Sequence, residues 1–151
     1  MLRLSKKMVY ALEAVVDIAY HGGSEPVQSR DITRRQDIPQ RYLEQVMQRL
    51  VHDGVLRGVR GPRGGYRLAR ERRRITVADV ARVVYDLEAG DDIIERDTPS
   101  ELAEKVVRPI WRDLRAELMK QLEVITIEDL CKKAKDQGLR SELQDFADYS
   151  I

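Results

Sequence analysis

The sequence predicts a mainly α-helical fold carrying one small β-hairpin, and three observations predict it. Apolar residues recur at spacings of three and four through most of the chain. One stretch, residues 55–69, instead places two short apolar segments around a Gly- and Pro-rich centre. Aromatic residues are 5% and charged residues 35% of the 151, a composition suited to helices with solvated faces.

Each element follows from its residues. Met8, Leu12, Val15, Val16 and Ala19 give an amphipathic helix from Ser5 to Tyr20, ended by His21-Gly22-Gly23. Ser29 is expected to cap a short polar helix through Gln36. Asp37-Ile38-Pro39 reads as a turn, with Pro39 at the first position of the next helix. That helix runs from Gln40 to His52 with Tyr42, Leu43, Val46, Met47 and Leu50 on one face. Val55–Val59 and Gly65–Ala69 are expected strands, joined through Gly61-Pro62-Arg63-Gly64-Gly65. Thr76 is placed to cap a helix through Val84, with Asp79 completing a capping box.

Residues 86–100 read as an acidic loop, with Asp86, Glu88, Asp91, Asp92, Glu95 and Asp97 against Arg96 alone. Pro99-Ser100 then opens a long helix to Leu122. Leu102, Val106, Ile110, Leu114, Leu118 and Leu122 recur along it every four residues, and Val107 and Trp111 widen the stripe. Thr126 starts a last helix through Lys135, and the tail from Gly138 is weakly patterned. The expected organisation is an N-terminal domain over 1–85, the acidic loop over 86–100, the long helix and C-terminal helix over 101–137, and a tail over 138–151.

The net charge of +1 conceals an asymmetry. Residues 1–75 hold 16 Lys and Arg against 8 Asp and Glu, whereas residues 76–151 hold 11 against 18. A polyanion is therefore the expected partner of the first half alone. No apolar run reaches the length of a membrane span, and the N-terminus lacks the apolar core of a secretory signal. With a single cysteine, Cys131, the expected location is the cytoplasm.

Three short helices followed by a hairpin with a basic tip is the order of a winged helix-turn-helix. The third helix presents Gln40, Arg41, Glu44, Gln45 and Gln48 on its polar face. Arg41 suits guanine, Glu44 accepts from cytosine and Gln45 pairs with adenine in a major groove. In the wing, Arg60 and Arg63 lie among three glycines, where arginine favours the negative potential of a narrow minor groove. The expected base contacts are Arg41, Glu44, Gln45 and Arg60. Expected backbone contacts are Lys7, Ser29, Arg30, Tyr42, Arg49, Arg63 and Gly64, with Lys6, Arg34 and Arg35 also placed to meet phosphate.

These residues resemble the Rrf-two family of winged-helix regulators, the type that includes IscR, NsrR and CymR. The match runs over about residues 2–135. It is carried by Lys7 and Tyr10-Ala11, by Ile38 and Tyr42-Leu43-Glu44-Gln45, by Val59-Arg60-Gly61-Pro62 with Gly64-Gly65-Tyr66, and by Trp111-Arg112-Asp113-Leu114. The resemblance implies a homodimer clasped by the long helix through Val107, Ile110, Trp111, Leu114 and Leu118. It implies a partly palindromic operator in double-stranded DNA, with Arg41 and Glu44 on bases and Arg60 in the minor groove.

The sequence departs from the family at its sensor. Cluster-binding members are expected to carry three cysteines between the fourth and the long helix, and IscR-like members a histidine three residues before the tryptophan. Here residues 86–100 hold no cysteine and the histidine position is Arg108. A conventional iron–sulfur cluster is therefore not expected, and neither is another metal cofactor. Three inputs stay open. The acidic loop offers Asp91, Asp92 and Glu95 to a divalent cation, against the plainer reading of a solvated loop. Cys131 is better read as buried and inert than as an oxidation sensor. A small molecule or a partner protein is the third route, and an adaptor run by a partner protein, or a sensor with atypical ligands, is the alternative to a ligand-controlled repressor. An enzyme is not expected: no nucleophile is paired with a base, and the Gly-rich stretch near Gly61 joins two strands rather than opening a helix.

Overall fold

The structure is a computed structural model and describes residues 4–23, 25–89 and 100–141. Helix α1 (Lys6–His21) begins at Ser5, whose side chain accepts from the Met8 amide. Its Ala11, Ala14, Val15 and Ile18 are buried at the centre of the core, and helices from both halves of the chain pack around it.

Helices α2 (Ser29–Gln36) and α3 (Gln40–His52) form the helix-turn-helix. Two boundaries differ from expectation. Ser29 is the first helical residue, and Gln28 takes the cap position with no side-chain bond. Pro39 is the cap of α3 rather than its first turn, its carbonyl accepting from the Tyr42 and Leu43 amides at 3.1 Å. Between them Asp37 adopts the left-handed conformation, φ 53°, which a short polar side chain tolerates. Its amide closes α2 on the Thr33 carbonyl at 2.9 Å. Ile38 is fully buried and pins the turn.

Strands β1 (Leu56–Val59) and β2 (Gly65–Leu68) pair antiparallel, with Leu56 opposite Leu68 and Val59 opposite Gly65. Val27 joins them as a one-residue bridge, exchanging backbone hydrogen bonds with Tyr66 at 2.8 and 2.9 Å. This explains glycine at position 65. A Cβ there would lie 2.4 Å from the Val27 carbonyl oxygen.

After a 3-10 turn at Arg72–Arg74 comes α4 (Val77–Glu88), which carries the expected Thr76–Asp79 capping box. It runs four residues past the expected end, so positions 86–88 are helical rather than loop. The proposed cation ligands Asp91, Asp92 and Glu95 fall outside the described residues. The long helix is not uniform either. Helical backbone starts at Glu101, widens to a π-helical stretch over Ala103–Val107, and continues as α5 (Arg108–Glu123). Pro109 supplies the reason. It lacks an amide proton, and its ring crowds the carbonyl four residues back, so an ordinary α-turn cannot close there.

Helix α6 (Ile127–Asp136) has a second capping box, Thr126 with Asp129. The two capping threonines face each other. Val77 donates to the Ile125 carbonyl and Ile127 to that of Ile75 at 2.9 and 2.8 Å, clipping the starts of α4 and α6 together. Cys131 on α6 is buried against the core. The segment after α6 docks on α1 through Ser141, whose hydroxyl donates to the Tyr20 carbonyl at 2.8 Å, and Tyr20 donates to the Leu139 carbonyl. Among the described residues no helix is long and apolar enough to cross a membrane.

Candidate nucleic-acid interface

Helix α3 separates its two faces cleanly. Leu43, Val46, Met47 and Leu50 are buried, each worth roughly 1.5–3 kcal/mol of apolar burial. Gln40, Arg41, Glu44, Gln45 and Gln48 are exposed on the other side. The exposed face is partly preset. Thr33 donates from α2 to the Gln40 side-chain oxygen at 3.1 Å, and Gln40 donates to the Glu44 carboxylate at 3.2 Å. Glu44 is thus steadied through α2, while Gln45 stays exposed beside it.

Arg41 is folded over its neighbour, its guanidinium carbon 4.8 Å from the Tyr42 ring centroid and its Nη2 donating to the Tyr42 hydroxyl at 3.2 Å. That hydrogen bond, with the Arg41 charge, lowers the Tyr42 phenol below its ordinary value. Tyr42 also meets Tyr10 of α1 at a ring separation of 5.7 Å.

The wing exposes Arg60, Gly61, Pro62 and Arg63. Gly61 holds φ at +112°, which favours glycine there. The Gly64 amide donates to the Gly61 carbonyl at 2.9 Å, so this expected phosphate donor is engaged in the turn and shapes the tip. Lower in the hairpin, Arg57 stands opposite Arg67. Directly opposed like charges destabilise a strand pair, which suits a surface that meets a polyanion. Sequence reasoning missed this pair; only the strand register reveals it.

The remaining expected contacts divide. Arg30 is exposed and Lys7 and Ser29 half-buried. Arg34 pairs with Asp31 at 3.4 Å and Arg49 with Asp53 at 3.3 Å, both at the surface, where such pairs contribute little to stability. Arg35 departs from expectation. Its side chain is turned inward onto buried Asp17 and not toward solvent.

Comparison with known proteins places this geometry. A family model described as an iron-dependent transcriptional regulator, Rrf2, matches residues 4–133. The chain belongs to the Rrf2 family. It is 36% identical over 131 residues to the HTH-type transcriptional regulator IscR of Xenorhabdus nematophila, covering 87% of this chain and 80% of that protein. Among solved structures, IscR of T. potens superposes with a TM-score of 0.71 at 32% identity, covering 93% of each chain. CymR, the global cysteine regulator of B. subtilis, gives 0.66 at 28% identity, covering 88% of this chain and 98% of that one. This Rrf2 protein is accordingly a transcriptional regulator with a DNA-binding winged-helix fold.

The iron in the family's description demands ligands, and the residues present do not fit a cysteine-held cluster. The sole cysteine, Cys131, is buried on α6, and burial pushes its thiol above the ordinary value, away from the thiolate that binds metal. Among the described residues no three His, Cys, Asp or Glu side chains gather in metal-holding range. Arg108, at the position of the family's histidine, carries a cation and has no lone pair to donate.

Proposed function

We propose that this Rrf2 regulator acts as a homodimeric repressor on a partly palindromic operator, without a conventional iron–sulfur cluster. The observation that carries the DNA reading is α3 itself. One face is locked into the core, and the other offers Arg41, Glu44 and Gln45 to solvent beside the arginine-tipped wing. Homodimerisation is supported by α5, where Val107, Ile110, Trp111, Leu114 and Leu118 are exposed. An apolar stripe of that length is a surface awaiting a partner, and a two-fold pair of recognition helices matches a palindromic site. The Arg108 and Cys131 observations support the cluster-free reading.

Selection of bound duplexes from a random library, followed by titration of the winner against salt, tests the proposal. A palindromic motif, with affinity falling steeply as salt rises, is expected from several phosphate contacts. Binding without sequence preference would overturn the specific-regulator reading. Iron and sulfide analysis of anaerobically purified protein tests the rest: a colourless, iron-free dimer is expected, and a coloured protein would mean ligands at other positions.

A further inference from the structure

We propose that Arg108, the first residue of α5, is the counter-charge of a binding site for a small oxyanion, a carboxylate or a phosphate. Arg108 is 9% exposed, and its Nη2 is shielded from solvent and finds no hydrogen-bond partner among the described residues. Its flanking residues on α5 differ sharply: Val107 is 44% and Ile110 55% exposed. The guanidinium is thus covered by its own chain and does not belong to the face that α5 offers a second copy.

A buried group of this kind calls for an anion more strongly than any other side chain. A buried lysine or histidine can shed its proton and become neutral; a guanidinium cannot. An isolated buried charge is strongly unfavourable when nothing offsets it, and buried polar atoms left without a partner are rare in folded proteins. The planar fork of donors fits the two oxygens of a carboxylate or phosphate. Seven residues on, about two helical turns along the same face, Arg115 lies with its guanidinium carbon 4.4 Å from the ring centroid of Tyr85 on α4. A cationic and a phenolic group therefore meet across α4 and α5 two turns beyond Arg108.

The place of the site suits an input to DNA binding. Helix α5 packs on α4, and α4 packs on both α1 and α3, so a ligand held at the start of α5 bears on an element that supports the recognition helix. Differential affinity of the anion for two settings of α4 is all that coupling requires. The inference rests on the cluster-free reading above, and iron analysis of the same preparation reports separately on that reading.

The experiment is a titration of the full chain with inorganic phosphate and, separately, with succinate, at constant ionic strength set by chloride. The readouts are the thermal midpoint and the emission of Trp111, the chain's one tryptophan, which lies about one turn from Arg108. A saturable rise in the midpoint, with an emission change of the same half-point, is expected for the wild type with at least one probe. A response to phosphate alone assigns a phosphorylated ligand; a response to succinate alone assigns a carboxylate. Arg108→Gln should lose the response while keeping its helical circular dichroism, and Arg108→Lys should bind about tenfold more weakly, since it keeps charge without the fork. No saturable response to either probe, or the same response in Arg108→Gln, would overturn the proposal. So would a large loss of stability in Arg108→Gln with a silent wild type, because the guanidinium would then already be paired within the folded protein.

Discussion

Asp17 on α1 grips Arg35 on α2 through two hydrogen bonds, Arg35 Nε and Nη2 donating to its two carboxylate oxygens at 2.9 and 2.8 Å. The Asp17 side chain is fully buried and that of Arg35 12% exposed. Gln36 Nε2 adds a third donor at 2.8 Å. A bidentate pair fixes orientation as well as distance, so this clamp sets how the first helix of the helix-turn-helix leans on the core. Removing one partner of such a pair strands the other. Asp17→Asn should cost about 3–5 kcal/mol of stability, read as a lower urea midpoint with an unchanged slope.

The same clamp predicts a division among the arginines of α2. Arg35→Met should lower stability but leave the salt dependence of duplex binding as it was, because Arg35 faces Asp17. Arg30, exposed one turn earlier, should behave in the opposite way. Arg30→Ala should leave stability within about 0.5 kcal/mol and reduce the slope of log affinity against log salt by about 1. Parallel salt titrations of the two variants decide it; a reduced slope in Arg35→Met would place that side chain on phosphate after all.

The proposed base contact of Glu44 and the proposed groove contact of Arg60 are tested by separate variants. Glu44 is steadied by Gln40, so Glu44→Ala should relax preference at one base pair per half-site, a loss of about 1–3 kcal/mol in discrimination. Arg60 sits on the exposed wing. Arg60→Ala should weaken specific binding more than non-specific binding, whereas equal losses would show that Arg60 touches only phosphate. Competition binding with operator and scrambled duplexes measures both.

The residue pattern reveals the fold where a local rule acts alone. The capping box of Thr76 and Asp79 and the bounds of α3 are legible because side chains four or fewer residues apart decide them. The pattern is silent where a partner lies far along the chain. Arg35 reads as surface charge because its acid is 18 positions away, and the opposed Arg57 and Arg67 appear only once the hairpin register is known. The widened turn before Pro109 is a different case: the proline is visible, but the four-residue apolar repeat runs straight through it and masks its effect on the backbone.

Helix α6 should depend on pH through its cap. The Thr126 amide and hydroxyl hold the Asp129 carboxyl below its ordinary value of 3.8. A carboxylate with a depressed folded value contributes stability above the ordinary value, and that contribution is lost as pH falls through the folded one. Asp129→Asn should therefore flatten part of the acid limb of the stability profile. Thr126→Ala should cost about 1 kcal/mol at neutral pH and flatten the same limb. Urea unfolding from pH 7 downward checks both, and an unchanged acid limb in Asp129→Asn would mean that the cap makes no contribution in solution.

The apolar stripe of α5 gives the most direct test of assembly. Ile110, Leu114 and Leu118 are 55, 53 and 50% exposed and recur every four residues, while α5 contacts α4 within the chain. A helix needs only one apolar face to pack on its own domain, so the second face is available to another copy. Leu114 lies mid-stripe, and a carboxylate there would be desolvated against apolar side chains at a symmetric interface, twice over because of the two-fold axis. Leu114→Glu should sediment as a monomer at micromolar concentration where the wild type sediments as a dimer, with little change in helical circular dichroism. The wild-type thermal midpoint should rise with protein concentration and that of the variant should not, since only a coupled dimer gains from mass action. A variant that remains dimeric, with an unchanged concentration dependence, would place the clasp away from this stripe.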